Sequence, residues 1–252
     1  MIGAILLLVR GWCHVREGVV TVRAMRRVVG IAAVFALGAV VAPGASATLI
    51  DPTTWGGCIG STSCTIGNAS LTSIPGAFDQ KTVVGQTGLG VDGGTFGEID
   101  IGEFINVSYT NPETIGNLRI VFIYNGPEFD DVAEVAQVTV NGSAVYKLAV
   151  SGTVDNVAFW QGSSGGVSNC GATTVSGSGC FDIANPFGGT AIKSLSFTAI
   201  PGVPGSLGGA GTNQSDYAIG SIRQVPEPGT LVLFGAGLIG LALLNRRKRA
   251  KA

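Results

Sequence analysis

Carboxylates are the side chains in this sequence whose type and spacing best suit binding chemistry. They form two runs, one on each side of the apolar stretch 118–124. The runs are Glu98, Asp100 and Glu103, and then Glu128, Asp130, Asp131 and Glu134. If the strands beside them are neighbours, the runs meet at one end of the fold, where such hard oxygen ligands suit Ca²⁺. The candidate calcium ligands are Glu98, Asp100, Glu128, Asp130 and Asp131. Composition alone favours the alternative, a solvated acidic loop.

Catalytic residues are scarce between Thr48 and Val225. This stretch contains no histidine and no methionine, because His14 and both methionines precede it. That excludes a Ser-His-Asp or Cys-His mechanism and any imidazole-ligated metal. Two carboxylates would be enough for glycoside hydrolysis, but a sugar cleft also needs aromatic walls, and Trp55 and Trp160 are the only tryptophans here. We therefore expect no enzyme, and we take Trp160, beside a Gly/Ser-rich loop, as the candidate ligand-binding ring.

Short strands are the elements that must position these groups. Alternating and apolar runs separated by turn residues predict strands, and helical periodicity is missing. The sequence Asn141-Gly142 between two such runs predicts a type I′ hairpin. The predicted strands are 82–84, 104–109, 118–124, 135–140, 144–150, 154–160, 181–183, 190–200 and 216–223. They predict an all-β fold, an antiparallel β-sandwich of jelly-roll type, with loops at 161–179 and 201–211. A disordered Gly/Ser-rich stalk is the alternative, which the apolar runs disfavour.

The last 28 residues, 225–252, form a three-part segment. Its first part is extended, because proline fixes φ and lacks a backbone donor. This motif consists of Val225, Pro226, Glu227 and Pro228. The charge-free run 231–244 follows and predicts a short transmembrane helix over 230–244, a minimal span for a bilayer. The basic tail consists of Arg246, Arg247, Lys248 and Arg249. Such a cluster stays cytoplasmic, which leaves the preceding body on the outer side.

This C-terminal segment resembles a PEP-CTERM sorting signal, the tag that bacterial exosortases recognise and process. The resemblance covers only the end of the chain. It implies an exosortase as a partner and the C-terminal helix as an inner-membrane anchor, either transient or retained. Such tags resemble a system found in Gram-negative bacteria that make extracellular polysaccharide layers. The stretches 97–134 and 216–219 resemble the β-rich bodies that are often attached to such tags. Some of those bodies are similar to carbohydrate-binding sandwiches.

The N-terminal region predicts export as well. Residues 25–47 have the three parts of a secretory signal peptide: a basic start at Met25, an apolar run over 28–41 and the small residues Ala45 and Ala47. Cleavage is expected between Ala47 and Thr48. Residues 1–24 precede a complete signal, and we interpret them as an extension from an upstream start, with a long basic region as the alternative. General secretion is the expected route, and the twin-arginine route is the alternative.

Four cysteines in the exported body predict disulfide bonds. An even number of cysteines in an exported chain is typical of a disulfide framework. Pairing Cys58 with Cys64 and Cys170 with Cys180 closes two short Gly/Ser-rich loops and is the simplest connectivity. The alternative, a zinc site, needs four thiolates from distant loops without Cys-x-x-Cys spacing.

The exported body, residues 48–224, has a strongly acidic balance that the whole-chain charge of −1 conceals. Most basic residues lie in the two terminal segments. From 48 to 225 there are 14 Asp and Glu against five Lys and Arg, so the net charge is near −9. Such a surface repels phosphate-rich partners, which argues against nucleic acid and anionic lipid.

Three functions are weighed for this body. The first is a non-enzymatic cell-surface or extracellular-matrix protein, exported to the periplasm, sorted by an exosortase and associated with exopolysaccharide or biofilm. The second is a carbohydrate-binding β-sandwich, assisted by Ca²⁺. The third is a secreted glycoside hydrolase, which the missing histidine and the few aromatic residues disfavour. No cofactor other than Ca²⁺ is implied.

Overall fold

The computed structural model describes residues 48–126, 132–162, 166–174, 176–204 and 215–225, together with Gly237. Within these residues the regular secondary structure is almost entirely β-strand, with one short 3-10 turn at Gly56–Cys58. No helix in the described part of the chain is long and apolar enough to cross a membrane. The predicted signal peptide, 25–47, lies outside the described residues, as does the predicted transmembrane helix, 230–244, apart from Gly237.

The described residues form fourteen strands. They are β1 (Leu49–Ile50), β2 (Ser63–Ile66), β3 (Ala69–Ile74), β4 (Phe78–Val83), β5 (Gln86–Val91), β6 (Phe104–Glu113), β7 (Ile115–Val121), β8 (Val132–Val140), β9 (Ala144–Val150), β10 (Ala158–Gln161), β11 (Val167–Gly171), β12 (Cys180–Ala184), β13 (Ile192–Pro204) and β14 (Ala218–Gln224).

The strands make two antiparallel sheets that form a sandwich, which confirms the predicted fold class. The first sheet has the order β11-β12-β7-β14-β5-β4, and β1 also pairs with β14. The second sheet has the order β10-β9-β8-β13-β6-β3-β2. From β5 to β8, and again from β12 to β14, successive strands alternate between the sheets. Neighbours in space are therefore often distant in sequence.

The core lies between the inward faces of the two sheets. Strand β3 shows the expected period of two, with residues alternately buried and exposed. On β7, Leu118 and Ile120 are fully buried, whereas Asn117 and Arg119 are only half-buried. In the second sheet, Phe197 on β13 is fully buried and lies between Ile105 of β6 and Val138 of β8. Burial of these alternating side chains is the main stabilising term of such a fold.

The apolar run 118–124 does not form one strand as predicted. Strand β7 covers Ile115–Val121, and the chain then leaves the extended conformation at Phe122, whose φ is +60°. Phe122, Ile123 and Tyr124 remain buried all the same. The run therefore indicated burial correctly, but apolar composition alone does not separate a strand from a buried connection.

The predicted hairpin at residues 141–142 is present between β8 and β9. Asn141 has a φ of +51° and Gly142 a φ of +70°, as both central residues of a type I′ turn require. The N–H of Ser143 donates to the carbonyl of Val140 at 3.1 Å. Val140 is then paired with Ala144, so three residues separate the paired strand ends.

Several strands lie in segments that were predicted to be loops or for which no element was predicted. Strand β11 lies inside the predicted loop 161–179, and β13 extends through Pro204 into the predicted loop 201–211. Strands β1, β2, β3 and β5 had no prediction, and β10 covers only the end of the predicted strand 154–160. Apart from β13, these strands are short or rich in Ser, Thr and Gly, so their pairing partners, and not their own propensity, determine their structure.

Candidate functional site

The two ends of the described body lie side by side on the first sheet. Strand β1 pairs with β14, with Leu49 opposite Arg223 and Ile50 opposite Ile222. Just before β1, the N–H of Thr48 donates to the Gln224 side-chain oxygen at 3.1 Å. Thr48 is the residue predicted to follow signal cleavage, and Val225, the first residue of the predicted sorting motif, comes directly after Gln224.

A network of polar side chains holds this junction. Gln224 is buried, and its amide nitrogen lies 3.4 Å from Asn68 Oδ1, which also accepts from the Thr48 hydroxyl at 3.1 Å. The Asn68 amide in turn donates to Glu113 Oε1. The N–H of Val225 donates to the carbonyl of Thr114 at 2.8 Å. The predicted motif therefore begins immediately where the folded sheet ends. Gln224, which no sequence pattern indicated, is the buried residue that joins the two chain ends at this point.

The other predicted processing residues lie outside the described residues. They are Ala45 and Ala47 of the cleavage site, Pro226, Glu227 and Pro228 of the motif, and Arg246, Arg247, Lys248 and Arg249 of the basic tail.

The four cysteines pair as the simplest connectivity predicts. One disulfide joins Cys58 to Cys64, and the other joins Cys170 to Cys180. The first links the 3-10 turn to β2, the last strand of the second sheet, and the second links β11 to β12 at one edge of the first sheet. Both bonds therefore fasten edge strands, which have a hydrogen-bonded neighbour on one side only. The two disulfides therefore have a structural role, which is to hold these edge strands in place.

The buried Glu103 carboxylate closes the loop that contains the first acidic run by accepting hydrogen bonds from its backbone. One oxygen of this buried carboxylate accepts from the N–H of Gly94 and the other accepts from the N–H of Asp100, both at 3.1 Å. A Cβ on Gly93 would lie 1.5 Å from Glu103 Oε1, so a side chain there would displace this carboxylate. Burial raises the pKa of Glu103, and the two backbone donors partly offset that effect. Glu103 therefore acts as the internal acceptor of this loop.

Three carboxylates from distant parts of the chain meet beside this loop. Glu98 and Glu134 are almost fully buried, and Asp216, just before β14, is also buried. The N–H of Asp216 lies 3.5 Å from Glu134 Oε1, and Glu134 also accepts from the N–H of Tyr124. The Thr95 hydroxyl lies 3.2 Å from Asp216. The two acidic runs do therefore approach each other, through a residue, Asp216, that the sequence analysis did not select.

Burial and neighbouring charge hold Glu98 mainly in its protonated form at neutral pH. Desolvation is the largest cause and the charge of Asp216 the second, and together they raise the pKa of Glu98 from 4.5 to about 8. Lys81 acts in the opposite direction through an ion pair at 3.0 Å, with the Glu98 carboxylate buried and the ammonium more than a third exposed. The Lys81 ammonium also lies 5.7 Å from the centre of the Phe122 ring. Solvent around the Lys81 ammonium weakens its attraction for the ionised form of Glu98, so the effect of burial on the pKa prevails.

This raised pKa predicts a pH-dependent stability. Glu98 has a higher pKa in the folded than in the unfolded chain, so its contribution is fully present below about pH 4.5 and is lost as the pH rises to about 8. We expect Glu98→Gln to match the native protein near pH 4.5 and to exceed it in free energy of unfolding above pH 8. The measurement is urea unfolding of the exported protein across this pH range.

The matched control for this experiment is Asp79→Asn, which removes one carboxylate from β4, the strand that also carries Lys81. It should leave the pH dependence between 4.5 and 8 in place. An unchanged pH dependence in Glu98→Gln would show that Glu98 does not cause it.

The calcium prediction stays a prediction. Among the described residues, no group of three or more Asp, Glu, His or Cys side chains is arranged to hold a metal ion. Glu98 and Asp100 are described, with Asp100 accepting from Thr95, whereas Glu128, Asp130 and Asp131 lie outside the described residues.

Trp160 lies on β10, at the edge of the second sheet, and is half-buried. Its indole N–H donates to the carbonyl of Pro186 at 2.8 Å. Its ring is stacked on Tyr146, with centroids 5.8 Å apart, and lies 5.9 Å from the Phe187 ring. These contacts fasten β10 to the core. Binding of a sugar by Trp160 stays a prediction.

Comparison with known proteins identifies the C-terminal segment. Residues 224–248 match the PEP-CTERM protein-sorting motif, which confirms the resemblance found in the sequence. The match begins at Gln224, the last residue of β14, and extends into the basic tail. It supports an exported protein that an exosortase sorts through a C-terminal membrane-anchoring signal. No curated protein and no solved structure matches the chain.

Proposed function

We propose that this protein is a non-enzymatic component of the cell surface or extracellular matrix, delivered by exosortase processing and held in a polysaccharide layer. The sorting motif at residues 224–248 is the observation that carries the proposal, because it supports an exported protein with a C-terminal membrane-anchoring signal. The body suits that environment. It is stapled by two disulfides and carries an excess of acidic residues.

The junction at β14 supports delivery of the body as a folded unit. Val225 is hydrogen-bonded to Thr114, so no free linker separates the sheet from the motif. Strand β14 lies between β7 on one side and β5 with β1 on the other. A membrane anchor that follows residue 225 is therefore attached to an internal strand. Such a strand separates from its sheet less readily than an edge strand, because it is hydrogen-bonded on both sides.

Replacing Pro226, Glu227 and Pro228 with alanine tests the sorting step. In a host with an exosortase, we expect the native chain to lose the residues that follow the motif, and the triple variant to retain them in the membrane fraction. Mass spectrometry of the isolated protein measures both outcomes. Lys193→Gln, an exposed charge change on β13, is the control and should be processed normally. Equal processing of the triple variant would contradict the sorting role.

The polysaccharide association needs a separate measurement. We expect the processed protein to sediment with the extracellular polysaccharide and to be released when that polysaccharide is digested. Recovery in the medium before digestion would contradict retention in the layer, while leaving exosortase sorting intact.

A further inference from the structure

The outer face of the first sheet contains a polar groove of about 360 Å³. Strands β5, β7 and β14 form its floor, and Leu49, Asp51 and Pro52 form one wall. The polar residues that line it are Gln86, Thr87, Asn117, Arg119, Ser221 and Arg223, and of these the hydroxyl of Thr87 is bonded to that of Thr82 at 2.8 Å. They belong to strands far apart in sequence, so no contiguous motif indicates this surface.

The two arginines of the exported body both line this groove. Of the five basic residues between 48 and 225, only Arg119 and Arg223 are arginines. Arg119 is cross-strand to Ser221, and Arg223 is cross-strand to Asn117. The groove is therefore a concentration of guanidinium groups on a body whose net charge is near −9.

The two guanidinium groups have different surroundings. Arg119 makes a two-pronged contact with Asp182, at 3.0 Å from Nε and 2.7 Å from Nη2, and its remaining nitrogen lies 3.5 Å from Gln86 Oε1. A Cβ on Gly220 would lie 2.6 Å from Arg119 Cγ, so the glycine leaves room for this side chain. Arg119 is thus fixed in place and its charge is balanced.

Arg223 is the exposed cation of the groove. Within the described part of the chain, its guanidinium has no ion-pair or hydrogen-bond partner. Asp51, the carboxylate on the rim, accepts at Oδ1 from the N–H and the hydroxyl of Thr53, at 2.9 and 2.6 Å. A planar guanidinium beside amide and hydroxyl groups suits a carboxylate that is itself surrounded by hydroxyls.

We propose that this groove binds a uronic acid residue of a polysaccharide, with Arg223 on the carboxylate and Asn117, Gln86 and Ser221 on the neighbouring hydroxyls. The polysaccharide part of this assignment rests on the proposed function. The negative charge of the body repels a dense polyanion, so the ligand is a mainly neutral glycan with isolated carboxylates. The groove volume admits one or two sugar residues, since small-molecule sites begin at about 300 Å³.

The test compares two oligosaccharides of matched length, xylotetraose and a xylo-oligosaccharide bearing one glucuronate. The protein purified from its host after export is titrated with each, and amide chemical shifts are followed by NMR. We expect saturable shifts at the groove with the uronate probe and at least tenfold weaker binding of xylotetraose. Lack of saturation by the uronate probe up to about 10 mM would overturn the proposal.

Two variants test the roles of Arg223 and Asn117 in uronate binding. Arg223→Gln should weaken uronate binding at least tenfold and leave the affinity for xylotetraose unchanged. Asn117→Asp should also weaken uronate binding at least tenfold, because the new carboxylate is cross-strand to Arg223 and competes for its guanidinium. The control Lys193→Gln removes an exposed charge from the second sheet and should bind as the native protein does. Equal loss of affinity in the control would indicate non-specific charge attraction and overturn the groove site.

The same variants separate this inference from the proposed function. If the native protein and Arg223→Gln both stay in the polysaccharide layer and bind the uronate probe equally, the groove assignment fails and the matrix role stands. If the native protein binds the probe through Arg223 but is not retained in the layer, the groove stands and the matrix role fails.

Discussion

Replacing Phe197 with alanine is expected to lower the free energy of unfolding by about 3–5 kcal/mol. Phe197 is fully buried on β13, which lies between β6 and β8 in the second sheet. Its removal leaves a cavity between two paired neighbours, Ile105 and Val138, and the flanking strands restrict relaxation into that space. Chemical denaturation of the exported protein measures the loss.

The matched control is Phe159→Ala, the same substitution on the edge strand β10. The Phe159 side chain is 59% exposed, so its truncation should change stability by no more than about 0.5 kcal/mol. Losses of similar size in the two variants would show that the second sheet does not have its core at Phe197.

Removing the disulfide between Cys170 and Cys180 is expected to cost about 3 kcal/mol of stability, from the chain entropy that a loop of ten residues restricts. We expect the double variant Cys170→Ala/Cys180→Ala to lose its structure first at β11, because among the described strands this edge strand pairs only with β12. Amide hydrogen exchange should show the fastest exchange in residues 167–171, and denaturant unfolding gives the overall loss.

The other disulfide is the internal comparison. Cys58 and Cys64 are separated by six residues, so their removal should cost less, about 2 kcal/mol. It should increase exchange near β2 and leave β11 protected. Increased exchange in β11 upon removal of the Cys58–Cys64 bond would contradict this local role.

The features that could be predicted from the sequence are local ones. Cys170 and Cys180 are close along the chain, so a short loop was enough to indicate their pairing. The turn at Asn141 and Gly142 depends on the backbone preferences of those two residues. The sorting motif is contiguous, and the same property made it recognisable both in the residues and in the comparison. All-β class followed from alternating runs, which require no knowledge of partner strands.

The acidic site illustrates what local patterns omit. Glu98 and Glu134 were selected as members of two separate runs, but Asp216 belongs to neither and joins them only because the segment before β14 passes between them. The groove at Arg223 is a clearer case. Asn117 and Arg119 come from β7, Ser221 and Arg223 from β14 and Gln86 from β5, and no two of these strands are consecutive.

By itself, the sequence determined the sorting motif of this protein, the β-class of its body and the pairing of its cysteines, since each depends on residues close together in the chain. The tertiary structure decided that Thr48 lies against Gln224, that Glu98 is buried beside Asp216, and that both arginines face one groove. The physical reason is that these arrangements depend on which strands become neighbours. That choice arises from packing of the whole core between the two sheets, and single segments carry little of it.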